Sequence, residues 1–599
     1  MNTYKAPLRD ITFALNEVLD YESHLQALPG CEEIDSETVE AIALEYAKFC
    51  EGVLSPLYSV GDSEGCSWDG GKVSTPLGFK DAYAQYCAGG WPSLSCEPKL
   101  GGQGLPTSLA MILGEMPGSA NISFTLYTGG LSGAIETLAA FGTPQQREMF
   151  EAKLISGTWN ATMCLTEPHC GTDLGLLKTQ AEPDTNGTFR VSGTKIFITG
   201  GEHDLTENIV HLVLARLPDA PPGTKGISLF IVPKLMPNAG SDELSENGVS
   251  CGSIETKMGI KGSATCVMHF DNARGYLLGE RNRGLSTMFK FINASRVRAA
   301  FQGVSHAELG FQKSLAYARD RLQMRSLSGA KNPAGVADPI IVHPDVRRML
   351  LTQKVLTEGS RTLLYELTKH LDIVERSPDD NKVRISSDRL ELLTPIAKGF
   401  VTEAGCEASN LALQCFGGHG YIKEWGVEQN VRDARISTLY EGTTGIQALD
   451  LVSRKILGSK GRLLTDFIQE TRSFCENSRE PVEGESLNEA LTAKLSEWES
   501  LGREVGERAS TNPEEIGAAS YDFLMYSGYV SLAYFWLRSA LVARERLDQH
   551  SGDQEFYEAK LQSAVFYFAR ILPRTESHRS AVRSGADSLM DMRSADFAF

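Results

Sequence analysis

The sequence predicts a mostly α-helical protein interrupted by one central β domain, and three observations carry that expectation. At 599 residues the chain exceeds what a single hydrophobic core supports, about 250–300 residues, so several packed domains are expected. Apolar residues recur at helical spacing on both sides of the centre. Examples are Glu40–Leu54, Leu131–Leu154 and the series Leu285, Met288, Ile292, Ala299, Val304, Ala307, Phe311, Leu315 and Ala318. Between these blocks lie short runs rich in Val, Ile, Phe and Thr, separated by turn-forming residues.

Taken in order, residues 1–39 read as a short N-terminal extension and 40–158 as an N-terminal helical domain. Within it Gly101, Gly102 and Gly104 make a tight loop. No third glycine follows at the spacing of a dinucleotide fingerprint, and no strand clearly precedes it. Residues 159–279 form the middle β domain, a compact barrel or sandwich. Its strands are expected at Phe189–Thr199, Asn208–Leu217, Gly226–Lys234 and Cys266–Asp271. Asn186-Gly187, Pro221-Pro222-Gly223 and Pro237–Gly240 supply its turns. Residues 280–460 read as a helical bundle opened by the long helix from Gly284. Ser326–Pro344, rich in Gly, Pro and Asn, breaks it, and further helices cover about Pro344–Leu371, Ser386–Phe416 and Gly445–Leu457. Residues 461–599 form a C-terminal helical extension with apolar runs at Tyr529–Ala543 and Leu561–Leu572.

Bulk properties exclude several classes. A formal net charge of −18 repels nucleic acid and anionic membrane surfaces, and no block of Lys and Arg offsets it, so no nucleic-acid partner is expected. No stretch is apolar for the roughly 18 residues a spanning helix needs. Tyr529–Val542 fits a buried core helix better, so membrane association is not expected. The twelve Cys form no C-x-x-C pair and no close Cys/His cluster, which argues against a disulfide framework and a zinc site, and no metal is expected. Met1–Asp10 has neither the apolar core of a secretory signal nor the Arg-rich character of an organelle-targeting segment. A cytoplasmic protein with reduced thiols is expected.

Five short segments carry the chemistry. They are Met163–Asp173 (MCLTEPHCGTD), Lys195–Gly201 (KIFITGG) and Asn293–Arg296 (NASR) with Asp320–Gln323 (DRLQ) further along the same helix. The others are Gln414–Tyr421 (QCFGGHGY), followed by Val431–Ala434 (VRDA), and Tyr440–Gln447 (YEGTTGIQ). Through them the chain resembles the acyl-CoA dehydrogenase family over roughly Glu40–Leu457. Tyr4–Asp10 (YKAPLRD) and Asn332–Leu351 (NPAGVADPIIVHPDVRRMLL) resemble the long subgroup with both terminal extensions, which includes 3-methylmercaptopropionyl-CoA dehydrogenases and bacterial fatty acyl-CoA dehydrogenases.

The resemblance implies an N-terminal helical domain, a middle β-barrel and a C-terminal helical bundle. It also implies FAD-dependent conversion of an acyl-CoA thioester to the trans-2-enoyl-CoA, with an α proton taken by a base and a β hydride passed to flavin N5. Glu441 stands at the base position. The α proton is weakly acidic, so its abstraction needs a carboxylate held against it in a dry site, where burial makes that carboxylate a better base. The resemblance places Met163, Leu165, Thr166, Phe197, Thr199, Arg321, Gln414, Gly418 and Thr443 against FAD. It places Thr172, Asn293, Arg296 and Gly442 near the substrate, with the Glu441 N–H helping to bind the enolate-like oxygen. His169 and Cys170 are loop residues rather than catalysts.

Four positions depart from the family pattern. Phe197 stands where Trp is usual and lacks the indole N–H. Thr172 replaces Ser, Asn293 stands where relatives often carry an acid, and Gly445 where they often carry Gln. Electron-transfer flavoprotein is the implied acceptor, and a homodimer or homotetramer the implied assembly. An acyl-CoA oxidase shares the fold, but the T-E-P-x-x-G-[ST]-D loop is dehydrogenase-like. A non-catalytic DNA-associated relative is disfavoured by Glu441 and by the charge. The acyl group, methylthio or straight-chain, stays open.

Overall fold

The structure, a computed structural model, describes residues 4–237, 243–484 and 486–598. Packing divides the chain into two compact units. One comprises Met1–Glu45, Met111–Glu115 and Ala299–Phe599, the other Tyr46–Ala110 and Met116–Arg298.

The second unit is built on a seven-stranded sheet: β1 (Trp159–Cys164), β2 (Gln180–Pro183), β3 (Phe189–Thr199), β4 (Asn208–Arg216), β5 (Ile227–Pro233), β6 (Val249–Ile254) and β7 (Thr265–Leu278). The order is β6-β7-β3-β2-β4-β1, and β5 pairs with both β7 and β4, so five strands close into a barrel. The predicted strand runs are all present. β1, β2 and β6 lacked a strong apolar run in the sequence. The predicted turn at Pro237–Gly240 begins at the end of a short strand, Leu235–Pro237, and its remainder lies outside the described residues.

β4 and β5 are apolar almost throughout because both their faces are covered. Val210, Leu212 and Leu214, with Ile227, Leu229 and Ile231, pack against Phe150, Leu154 and Phe291 on the helical side. The alternate residues Val213, Ala215, Phe230 and Val232 pack with Val191, Ile198, Cys266 and Phe270. The period of two that sorts these side chains is that of an extended backbone.

The predicted amphipathic run Leu131–Leu154 is two helices, α1 (Glu115–Phe141) and α2 (Pro144–Ile155). Thr143 divides them: its hydroxyl accepts from Gln146 N, and Gln146 Oε1 accepts from Thr143 N, a reciprocal cap with Pro144 as the first helical residue. The Gly101–Gly104 segment is the expected tight loop. Gly101 and Gly104 have positive φ, and a Cβ on Gly102 would lie 2.1 Å from the Cys96 carbonyl oxygen.

The first unit is helical among its described residues. Its principal helices are α3 (Gly284–Asp320, from Ala299 onward), α4 (Pro344–Arg376), α5 (Asp380–Ile396), α6 (Thr402–Cys415), α7 (Thr444–Leu449) and α8 (Glu514–Asp548). A π-helical turn, Ala397–Val401, joins α5 to α6, and another, Asp450–Leu457, continues α7. Helix α8 is buried on every side from Phe523 to Leu537, which is why its sequence is apolar all round. No helix among the described residues is long and apolar enough to cross a membrane.

The N-terminal extension packs on the C-terminal one. Arg9 Nη2 donates to the Tyr557 hydroxyl (3.0 Å), the Tyr557 hydroxyl donates to Glu17 (2.7 Å), and Lys560 pairs with Asp10. At the centre of the unit, Arg361 is buried between Glu115 and Glu308, and Tyr365 donates to Glu115 (2.8 Å). Removing one partner from such a buried set leaves an uncompensated charge, which is strongly destabilising.

Candidate active site

In the β unit, two of the predicted segments are brought together. Ile196 N donates to the Thr166 carbonyl (2.9 Å), joining the Met163–Asp173 loop to β3. Lys195, 0% exposed, donates through Nζ to the Leu165 carbonyl (3.0 Å) and to Glu167 Oε1 (2.8 Å). Glu167 also accepts from the Thr179 hydroxyl (2.6 Å), Thr179 N (3.0 Å) and Lys178 N (2.8 Å). Burial pushes the Glu167 carboxyl up, but Lys195 and these donors outweigh it and hold it below the usual carboxylate value. Burial pulls Lys195 down against the opposing pull of Glu167. The loop closes on itself through Glu167 N to Cys170 O (2.9 Å) and Cys170 N to Glu167 O (3.0 Å).

Glu167, His169 and Cys170 have ligand atoms within 4.8 Å of one another. The Glu167 oxygens are already engaged, and His169 Nε2 lies 2.9 Å from the Leu176 carbonyl, so the donor set is committed to holding the loop.

Phe197 sits in a β-bulge. The pairing of β7 with β3 shifts register between Cys266–Ile198 and Met268–Lys195. The shift turns Ile198 inward after Lys195 and leaves Phe197 59% exposed. Its φ is +60°, a conformation that costs a non-glycine residue about 1–2 kcal/mol. Bulges of this kind re-aim side chains beside functional sites. Thr199, half-buried, pairs with Thr265 across the ladder. Met163, Leu165 and Thr166 are half-buried, and Thr172 is exposed at the loop tip. Asn293 is exposed and Arg296 half-buried on α3.

In the helical unit, Arg321 is exposed just past the end of α3. One turn earlier, the Tyr317 ring stacks on Phe416 (centroids 4.2 Å apart), and its hydroxyl bonds His419 Nδ1 (2.9 Å). These contacts bring the Gln414–Gly418 turn to the Arg321 end of α3. Gln414, Gly417 and Gly418 are exposed, and a Cβ on either glycine would meet nothing within 4 Å.

Glu441 and Gly442 are consecutive left-handed residues, φ +57° and +89°. Gln447 Nε2 donates to the Glu441 carbonyl (3.0 Å), and the buried Lys398 donates through Nζ to the Gly442 carbonyl (2.6 Å). Thr443 caps α7, its hydroxyl accepting from Ile446 N (3.2 Å). The Tyr440 hydroxyl donates to Gln302. Burial raises its pKa, the Gln302 bond opposes that rise, and the Glu441 charge adds to it. Gly445 is exposed.

Lys195, Lys398 and Gln447 were not singled out from the sequence. The one available signal for the lysines was a cation inside an apolar run, in TKIFIT and PIAKGFV. Among the described residues, five non-glycine residues other than Asn, Asp and His have positive φ: Phe197, Ile260, Met324, Glu441 and Lys460. Two of the five are predicted site residues, and strained backbone persists where its surroundings over-determine it.

Each unit, taken by itself, presents groups that suit one part of a flat aromatic cofactor with a phosphate-bearing arm. The β unit presents an exposed aromatic side chain beside backbone polar groups, and the helical unit presents an exposed guanidinium beside uncrowded glycines.

Comparison with known proteins agrees. Family profiles match in succession: "Acyl-CoA dehydrogenase, middle domain" over residues 162–273, "Acyl-CoA dehydrogenase, C-terminal domain" over 282–457, and "Acetyl-CoA dehydrogenase C-terminal like" over 467–593. The chain is 41% identical to a 3-methylmercaptopropionyl-CoA dehydrogenase of Ruegeria pomeroyi, over 98% of this chain and 99% of that one. It is 33% identical to the broad-specificity linear acyl-CoA dehydrogenase FadE5 of Mycobacterium tuberculosis, over the full length of both. Caenorhabditis elegans ACDH-11, solved in complex with C11-CoA, shares the fold, with a TM-score of 0.76 at 18% identity over 98% of this chain and 96% of that one. The fold and the matches define a flavin-dependent oxidoreductase of thioesters. The chain belongs to the acyl-CoA dehydrogenase family, and its reaction is FAD-dependent dehydrogenation of an acyl-CoA.

Proposed function

We propose that Glu441 is the base that takes the α proton, and that the substrate is 3-(methylthio)propanoyl-CoA or a fatty acyl-CoA. The observation that carries the first part is the turn itself. A glutamate held at φ +57° before a glycine at +89°, with both carbonyls tied down, is a side chain presented in a fixed direction. The choice of acyl groups is supported by relatives named for 3-methylmercaptopropionyl-CoA, at 41% identity, and for linear acyl-CoA, at 33%.

When bound, FAD supplies the acceptor for the hydride that leaves the β carbon. In this reading Thr166, with backbone groups at Met163 and Leu165, faces the pyrimidine end of the ring system. Phe197 covers it, Thr199 lies near its N5 side, and Thr443 contacts it. Arg321, Gln414 and Gly418 hold the pyrophosphate arm of a neighbouring subunit's cofactor, which makes the protein a homo-oligomer. Thr172, Asn293, Arg296 and Gly442 line the thioester side. Electron-transfer flavoprotein takes the electrons onward, in the cytoplasm. Residues 40–279 serve the flavin, 280–460 carry the base, and the terminal extensions support them.

Glu441→Gln tests the assignment. The variant keeps its FAD and its acyl-CoA affinity but loses about 10²–10⁴-fold in dye-coupled dehydrogenation, the span that general-base catalysis contributes. Near-normal turnover would remove Glu441 from the mechanism. A panel of acyl-CoA thioesters assayed on the wild type separates the two substrate classes by kcat/KM.

A further inference from the structure

The π-helical turn Ala397–Val401 carries one charged residue, Lys398, and buries it completely. A π turn inside a helix shifts the direction of the side chains around it, and such turns concentrate at functional sites. This one is backed by α8 of the C-terminal extension. A Cβ on Gly399 would lie 2.5 Å from Leu524 Cδ2, and one on Gly528 would lie 2.1 Å from the Phe400 ring. Phe400 and Tyr529 meet edge to face with centroids 4.8 Å apart. The π turn therefore has little room to move against α8.

From this fixed base the Lys398 Nζ reaches the Gly442 carbonyl at 2.6 Å. An ammonium-to-carbonyl bond is roughly twice as strong as a neutral one. On the other side of the same turn, Gln447 holds the Glu441 carbonyl at 3.0 Å. The two donors clamp successive left-handed peptides, and the direction of the Glu441 side chain follows from theirs. We propose that Lys398 is a positioning residue for the dehydrogenation: supported by the C-terminal helix, it pins the Gly442 carbonyl and so aims the carboxylate of Glu441. This rests on Glu441 being the base. It also assigns a purpose to part of 461–599, a region whose sequence alone discloses none.

The test reads proton transfer without net oxidation. Full-length, FAD-loaded enzyme is reduced chemically beforehand, and exchange of the α protons of butanoyl-CoA with D₂O is followed by NMR. Butanoyl-CoA affinity, FAD content and melting temperature are measured alongside. Glu441→Gln abolishes exchange; if it does not, the assignment of the base falls, and Lys398 falls with it. With that control in place, Lys398→Met slows exchange by about 100-fold, the cost of a displacement near 1 Å, with affinity within about threefold of wild type. Lys398→Gln, which restores a shorter donor, recovers part of the rate.

Exchange within about threefold of wild type in FAD-loaded Lys398→Met overturns the proposal. So does a variant that loses exchange only in proportion to lost FAD or lost fold. If Lys398→Met does not fold, Lys398→Gln and Gln447→Met decide the matter: both slow exchange if the clamp aims the base, and both run at the wild-type rate if it does not.

Discussion

In the β unit Lys195 donates to the Leu165 carbonyl; in the helical unit Lys398 donates to the Gly442 carbonyl. Both lysines are fully buried, and each holds the backbone of a segment that the resemblance assigns to chemistry. Their settings differ. Lys195 is paired with Glu167, whose oxygens take three further donors, and the loop it holds has no residue of positive φ. Lys398 holds the second of two consecutive left-handed residues. The first arrangement is a brace, whose loss is felt as stability. The second is an aimed turn, whose loss is felt as rate.

The largest effect that sharpens this contrast is Lys195→Met. It strands the Glu167 carboxylate in a buried site, which costs about 3–5 kcal/mol. The double variant Lys195→Met/Glu167→Gln removes both charges and recovers most of that loss in urea unfolding. A single variant as stable as wild type would show that the Lys195–Glu167 brace contributes nothing to stability. Lys398→Met is expected to read the other way, in proton exchange more than in unfolding.

Acidification separates the two settings more gently. The Glu167 carboxyl sits below its usual value of 4.5 in the folded protein, so its contribution is present in full above that value and is lost as pH falls through the lowered one. The melting temperature of wild type should therefore drop more steeply in acid than that of the neutral double variant. Parallel curves would mean that the carboxylate is no better held folded than unfolded.

What the sequence disclosed follows from the range of the forces involved. The strands Phe189–Thr199, Asn208–Arg216 and Ile227–Pro233 announce themselves because burial on both faces demands consecutive apolar residues. Site segments such as TEPHCGTD and YEGTTG are local and stand out as words. The braces are not local. Lys195 and Glu167 lie 28 positions apart, Lys398 and Gly442 lie 44 apart, and no periodicity links such pairs. The π turn at Ala397–Val401 is equally hidden, since its composition is that of the α-helices either side, and the residues packed against it, Leu524 and Gly528, lie far along the chain. The bulge at Phe197 breaks the period of two at one residue, too brief a change for pattern to register.

The smallest predicted effect concerns that bulge, where a predicted site residue of the β unit shares the positive φ of Glu441. Phe197 is exposed and strained, so its ring adds little to the fold of the apoprotein and its backbone opposes it slightly. Phe197→Gly relieves a left-handed residue of about 1–2 kcal/mol. Against this, glycine loosens the unfolded chain by about 0.4–1 kcal/mol. The net expectation is an apoprotein between unchanged and about 1.6 kcal/mol more stable, with FAD retained less tightly. Urea midpoints of FAD-stripped protein and FAD dissociation on dilution measure the two sides. A clear loss of apoprotein stability would make Phe197 a packing residue after all, and the bulge a feature of the barrel. A gain coupled to FAD loss would show strain kept in the β unit where a side chain faces the cofactor.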